Sequence, residues 1–210
     1  MEKPPVPLFR RRSKNELAAT AARLEVGRVF AMDEARFGLK VSHRRLWCPF
    51  GHRPPWTHEH EYRWLWLYAA VEPTSGACFV LFLPHVDGRC FQRFLEELRR
   101  DLGPDRLGLV LDNSGSHTSG KVIWPEGVTK IPLPPYSPEL NPAERWFEAL
   151  RRVFANRIFE SLDQLQEALA AALEPYWTVP ATLQRLVGYP WWCQAIATLP
   201  PVPPHPERKT

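Results

Sequence analysis

The order of periodic segments predicts a mixed α/β domain. Apolar runs of strand length come first, at Arg28 to Asp33, Glu61 to Val71 and Ala77 to Leu83. From Arg89 the period changes, and Phe91, Phe94, Leu95, Leu98 and Leu102 mark one helical face that Gly103 and Pro104 close. Short strands at Leu107 to Leu111 and Val128 to Leu133 follow, and then helices. The leading runs are apolar on both faces, so the sheet they form must be covered on both sides. A chain of 210 residues, 44% hydrophobic and 24% charged, has enough apolar surface for one domain with a substantial core.

Taken in order, residues 1–12 hold Pro4, Pro5, Pro7 and the run Arg10-Arg11-Arg12 and read as an arm. Ser13-Lys14-Asn15-Glu16 is a capping-box pattern opening a short helix to about Leu24. A further strand is expected through Arg45 to Cys48, and Glu72-Pro73-Thr74-Ser75-Gly76 turns a hairpin between the second and third apolar runs. The helix opened at Pro142 is expected to reach about Ile158, burying Ala143, Phe147, Leu150, Phe154 and Ile158 and turning Glu144, Glu148, Arg151 and Arg152 outward. Ser161-Leu162-Asp163-Gln164 caps another helix, with Leu162, Leu165, Leu169 and Leu173 on one face, which Pro175 should end. The organisation expected is an arm and short helix (1–26), a catalytic domain (27–160), a helical extension (161–199) and a Pro-rich disordered tail (200–210). No internal repeat is visible.

The net charge of +4 permits a nucleic-acid partner without requiring one. Its distribution says more: Arg10, Arg11, Arg12 and Lys14 lie near the start, and Arg145, Arg151, Arg152 and Arg157 along one later helix, where a phosphate backbone could run or where a helix could simply be solvated. Cys48, Cys78, Cys90 and Cys193 form no Cys-x-x-Cys pair, and no signal peptide or membrane-length apolar segment is present, so a cytoplasmic protein with reduced thiols is expected. His58-Glu59-His60 has ligand-type residues but no matching cluster, and reads as an exposed turn. Of the nine tryptophans, Trp64, Trp66, Trp191 and Trp192 read as packing residues, while Trp47, Trp56 and Trp146 lie in segments that could touch DNA.

The most informative segment is Pro134-Pro135-Tyr136-Ser137-Pro138-Glu139-Leu140-Asn141-Pro142-Ala143-Glu144-Arg145-Trp146. Its prolines restrict their own φ and the residues before them, so the approach to the helix has few alternatives. Asn141 reads as N-cap, Pro142 as N1 and Glu144 as N3, which makes Glu144 either half of a capping box or a carboxylate delivered to a site. Asp33 follows the apolar Val29-Phe30-Ala31-Met32, where an acid is costly to bury without a ligand, and Glu34 should point to the opposite face. Asp112 follows Leu109-Val110-Leu111, and Asp112-Asn113 is equally a turn signal.

Together, Met32 to Leu39, Leu111 to Ser119 and Pro134 to Trp146 resemble the catalytic domain of mariner-like bacterial insertion-sequence transposases, in the Asp-Asp-Glu integrase superfamily. The resemblance spans roughly residues 28 to 158. It implies a ribonuclease H-like mixed sheet flanked by helices, with the first and fourth strands side by side, and it puts Asp33, Asp112 and Glu144 on the family's catalytic positions. Only 31 residues (113–143) separate Asp112 from Glu144, slightly fewer than the family suggests, in a connection where a short deletion is tolerated.

The same resemblance implies two Mg²⁺ or Mn²⁺ ions, with Asp33 shared and Asp112 and Glu144 each completing one site. Such oxygen donors suit these metals. The implied activity is cleavage of DNA at the element's ends and joining of the freed 3′-hydroxyl to target DNA, by a homodimer on DNA, nucleoid-associated when bound. His117 could assist near the scissile phosphate or be a polar surface group. The family carries helix-turn-helix segments before the catalytic domain, and about two dozen residues precede the first strand here, so a separate or frameshift-fused DNA-reading segment is expected. The competing readings are a ribonuclease H-like nuclease without strand transfer and a silent DNA-binding remnant.

Overall fold

The computed structural model describes residues 15, 17–23, 26–40, 50, 62–112, 114–115, 120, 122–134 and 137–197. The arginine run at 10–12, the strand expected at 45–48, the 58–60 run, His117, Trp47, Trp56 and the Pro-rich tail lie outside the described residues.

A helical segment at 17–23 (α1) precedes strand β1 (Arg28–Gly38), the hairpin strands β2 (Trp64–Val71) and β3 (Cys78–Leu83), helix α2 (Gly88–Leu102), and strands β4 (Leu107–Leu111) and β5 (Val128–Pro132). Four helices follow: α3 (Pro142–Phe154), α4 (Leu162–Thr178), α5 (Pro180–Val187) and α6 (Pro190–Ile196). The five strands lie in the order β3-β2-β1-β4-β5. β2 pairs antiparallel with β3 on one side and with β1 on the other, whereas β4 pairs parallel with β1 and β5 parallel with β4. The first and fourth strands are therefore neighbours, as expected.

Alternation along β1 divides the core. Phe30 and Met32 join Phe91, Phe94, Leu95 and Leu98 of α2 on one face. Val29, Ala31, Ala35 and Phe37 join α3 to α6 on the other, so the helices after residue 161 share the sheet's core. The amphipathic pattern of α2 accounts for its docking, and Asp87 caps it by accepting from the Cys90 N–H at 2.8 Å. The hairpin turn is fastened to α5 through Gly76, whose φ of 79° suits glycine and whose added Cβ would lie 2.0 Å from the Pro180 carbonyl oxygen.

Four expectations need correction. β1 does not stop at Asp33, because pairing with β2 continues to Gly38 opposite Trp64. α3 ends at Phe154: Ala155 is extended and Asn156 takes a positive φ of 59°, which turns the chain and leaves Ile158 exposed. Pro175 lies inside α4. Its missing N–H falls in the last turn, which the Val179 N–H to Pro175 carbonyl bond (3.2 Å) and the Thr178 hydroxyl to Glu174 carbonyl bond (2.8 Å) still close. Trp64, read as a packing residue, is exposed at the end of β2.

Candidate active site

The parallel register of β1 with β4 runs to Ala31 opposite Val110. Two residues on from that pair are Asp33, within β1, and Asp112, one residue past the end of β4; alternation puts Asp33 on the face of Ala31, the face covered by α3, and the charge of Asp112 is felt there. Glu34 lies on the other face, opposite Tyr68 in β2. Asp112 is exposed just beyond β4, where its Oδ1 accepts the Ser114 N–H at 2.9 Å. The turn reading and the site reading of that residue are thus compatible.

Asn141 joins Asp33 to the helix that carries Glu144. Buried at the N-terminus of α3, it uses its Oδ1 to accept the Ala143 N–H at 3.1 Å, and its Nδ2 donates to the Met32 carbonyl at 3.0 Å and to Asp33 Oδ2 at 3.1 Å. The other oxygen of Asp33, Oδ1, accepts the Glu34 N–H at 2.8 Å. One side chain therefore caps α3 and anchors its first turn on β1. Sequence reading identified the cap but missed the second role, since nothing in an Asn-Pro pattern says what the amide's other end will meet.

Glu144 does not close a capping box. The Asn141 N–H, which the box would use, donates instead to the Pro138 carbonyl at 2.9 Å within the single 3₁₀ turn Pro138–Leu140. Glu144 is left in the first turn with its carboxylate 3.7 Å from an Nη of Arg151, two turns along the same helix.

Asp33 bears the electrostatic consequence. Its pKa is raised from 3.8 to about 7. Burial is the largest cause, the Glu34 N–H opposes it, and the charges of Glu144, Glu34 and Asp112 add to it. Ionised Asp33 thus sits in a negative, poorly solvated position that a cation would relieve. Among the described residues no three carboxylate, thiol or imidazole groups converge to hold a metal ion together. Mg²⁺ is commonly held by one or two protein carboxylates with substrate oxygens and water, so the oxygen pairs Asp33 with Asp112 and Asp33 with Glu144 suit it.

Among the other residues expected to meet DNA, Trp146 is corrected. Its ring is fully buried and packs edge-on against Tyr176 at 5.5 Å, so no nucleic acid can stack on it. Arg145 is exposed, with its guanidinium 5.7 Å from the Tyr189 ring centre, and Arg152 is paired with Glu148. Arg151 faces Glu144. Among the described residues, no helix is long and apolar enough to cross a membrane.

Known proteins share this arrangement of elements. The chain is 33% identical over 135 residues to the uncharacterized protein y4pE/y4sA of Sinorhizobium fredii (strain NBRC 101917 / NGR234), a match covering 63% of this chain and 93% of that protein. A pre-cleavage Mos1 transpososome superposes with a TM-score of 0.60 at 18% identity, covering 90% of this chain and 61% of that one. The Mos1 mariner paired-end complex with Mn gives 0.58 at 18% identity, covering 94% and 64%. At that identity the likeness is one of fold, and this chain spans less than two thirds of the Mos1 chains. Residues 28–166, more than half of the chain, match the family described as DDE superfamily endonuclease, and the protein belongs to that family, with the ribonuclease H-like fold of a transposase catalytic domain.

Proposed function

We propose that this chain is a transposase catalytic domain in which Asp33, Asp112 and Glu144 are the catalytic and metal-binding carboxylates, acting on the DNA ends of an insertion sequence. One observation supports this above the rest: the strand register and the Asn141 tether bring two aspartates and a helix-borne glutamate to one face, at the cost of an Asp33 that resists ionisation. A structural ion-pair network would supply cations to such a cluster. Here Arg151 reaches Glu144 at 3.7 Å and Lys130 interacts with Asp112, but no described cation offsets the raised pKa of Asp33.

In this reading Asp33, held by Asn141 and the Glu34 N–H, would hold divalent ions together with Asp112 and Glu144. When bound there, such ions would supply neutralisation of phosphoryl charge and a lowered pKa for the attacking hydroxyl. Asn141 keeps Asp33 and the first turn of α3 at fixed separation, so the carboxylates do not have to be gathered at each turnover. Burial at Asp33 limits competing water.

The test uses labelled duplexes made from the DNA flanking the chain's own coding sequence, with the chain or its fusion to any upstream DNA-reading segment. Cleavage is expected with Mg²⁺ or Mn²⁺ and none in EDTA, together with joined products. Equal cleavage in EDTA overturns the metal-dependent mechanism. Cleavage without joined products would instead favour the nuclease reading.

A further inference from the structure

At the opposite end of α3 from Glu144 lies a cleft of about 530 Å³, bordered by the last residues of β1, the first of β2 and the segment after α3. Five cations line it, Arg36, Lys40, Arg63, Arg151 and Arg157, and among the described lining residues there is no Asp or Glu. Two of the cations also border well-exposed rings: the Arg36 guanidinium lies 5.2 Å from the ring centre of Trp64 and the Lys40 ammonium 5.1 Å from that of Tyr62. Arg157 sits 5.5 and 5.2 Å from the centres of Phe154 and Phe159. A cation resting on a ring has already lost much of its side-chain freedom, so an anion can bind it at lower entropic cost. Such a site suits regularly spaced negative charge. It offers little for stacked bases, because Phe154 and Phe159 are buried and Trp64 and Tyr62 each carry a cation over a face.

The cleft is connected to the candidate active site. Asn141 meets β1 at Asp33, and at the other end of the helix Phe154 meets β1 again at Phe37, with rings edge-on at 6.0 Å. Helix and strand thus run together from the carboxylates to the cleft, over about 13 Å along the strand and about 20 Å along the helix. Arg151 lines the cleft and also approaches Glu144 to 3.7 Å.

We propose that this cleft seats the sugar–phosphate backbone of duplex DNA flanking the phosphate presented to Asp33, Asp112 and Glu144. The proposal rests on the transposase reading. With one phosphate per roughly 3.4 Å of helix axis on each strand, the seated phosphates lie about four to six base pairs from the cut. Recognition there is independent of sequence, since phosphate contacts position a protein without reading bases.

The test measures binding of a labelled 30-base-pair duplex by fluorescence anisotropy in EDTA, where cleavage plays no part, across a range of salt concentrations. The triple variant Arg36→Gln/Lys40→Gln/Arg157→Gln is expected to flatten the slope of log K against log salt by about 2 to 3 and to weaken binding at least roughly tenfold. The charge-preserving Arg36→Lys/Arg157→Lys variant should keep the wild-type slope. Ethylation interference on the wild-type chain needs no variant and should mark phosphates about four to six base pairs from the cut. A folded triple variant with wild-type slope and affinity overturns the cleft assignment and leaves the transposase reading intact, as does an interference pattern silent at those phosphates. An unchanged slope with an altered oligomeric state would assign the cleft to a second copy of the chain. Failure of the wild type to bind duplex at any salt overturns both readings.

Discussion

The two ends of α3 are electrostatic opposites, and only one of them is under strain. Glu144 in its first turn and Arg151 and Arg152 in its last turn all agree with the helix dipole, so charge sign alone would be an ordinary feature of a stable helix. The difference lies in what each end meets. At the C-terminal end, cations rest on rings and border an open cleft. At the N-terminal end, a half-buried Asp33 is surrounded by other carboxylates, and its ionisation is pushed up to about pH 7. Solvated charge on a helix is cheap, whereas charge held in a site is not, and that cost distinguishes the candidate active site from a well-capped helix.

The largest expected effect is on chemistry at the strained end. Asp33→Asn and Asp112→Asn should each abolish metal-dependent cleavage in the labelled-duplex assay, while the stability of Asp112→Asn stays within about 0.5 kcal/mol of wild type because the side chain is exposed and Asn can still accept from Ser114. Residual cleavage by Asp33→Asn near the wild-type rate would remove the contrast between the two ends. Glu144→Gln should lower cleavage by orders of magnitude with DNA binding intact, since a neutral amide is a poor Mg²⁺ ligand. A wild-type rate for this variant at limiting Mg²⁺ would move the search to another glutamate.

The next effect is on metal-free stability, and its sign follows from the raised pKa. Below about pH 4 the Asp33 carboxyl is protonated in both folded and unfolded chains and costs nothing. As pH rises, the unfolded carboxyl ionises first while the folded one keeps its proton until about pH 7, so stability falls through that window and levels off above it. Asp33→Asn does not titrate. In EDTA it should therefore match the wild type near pH 4 and be more stable at pH 8, by at most a few kcal/mol and less to the extent that water reaches the half-buried group. Thermal melts of the two proteins across this range check it, and a variant that is less stable at pH 8 would point to a structural role for Asp33.

Smaller effects separate the two jobs of Asn141. Asn141→Ala loses the cap and the tether and should cost about 1 to 2 kcal/mol. Asn141→Ser keeps a cap acceptor but cannot donate to both Met32 and Asp33, so it should lose less stability than Ala while showing a similar fall in cleavage rate at saturating DNA. The smallest change is expected for Glu144→Ala: with the Asn141 N–H bonded to Pro138 rather than to Glu144, it should cost under about 0.5 kcal/mol. A loss near 1 kcal/mol would mean that the capping box forms in solution.

Much of this was legible in the residues. The change of hydrophobic period at Arg89, the strand at Leu107–Leu111 and the helix start at Pro142 agree with the structure because each depends on neighbours within a few positions. Failures came where distant contacts decide. Trp146 looked available as a DNA contact, but the packing of α4 against α3 places Tyr176 on it. Pro175 looked like a terminator, but the last turn of α4 tolerates it. Glu144 matched a capping box, but a 3₁₀ turn upstream had taken the N–H it needed.

By itself, the chain's order of residues determined which elements form, which faces of them are apolar, and that a carboxylate must ride in the first turn of α3, since these depend on backbone preferences and side-chain spacing along a few consecutive residues. Only the tertiary structure decided that β1 and β4 pair in the register that sets Asp33 level with Asp112, that the far end of the Asn141 amide lands on Asp33, and that cations from β1, β2 and the segment after α3 border one cleft. Those are juxtapositions of segments as much as 121 residues apart, from Arg36 to Arg157, and they are set by how the apolar faces of the sheet and helices fit together, a global packing condition that no local pattern encodes.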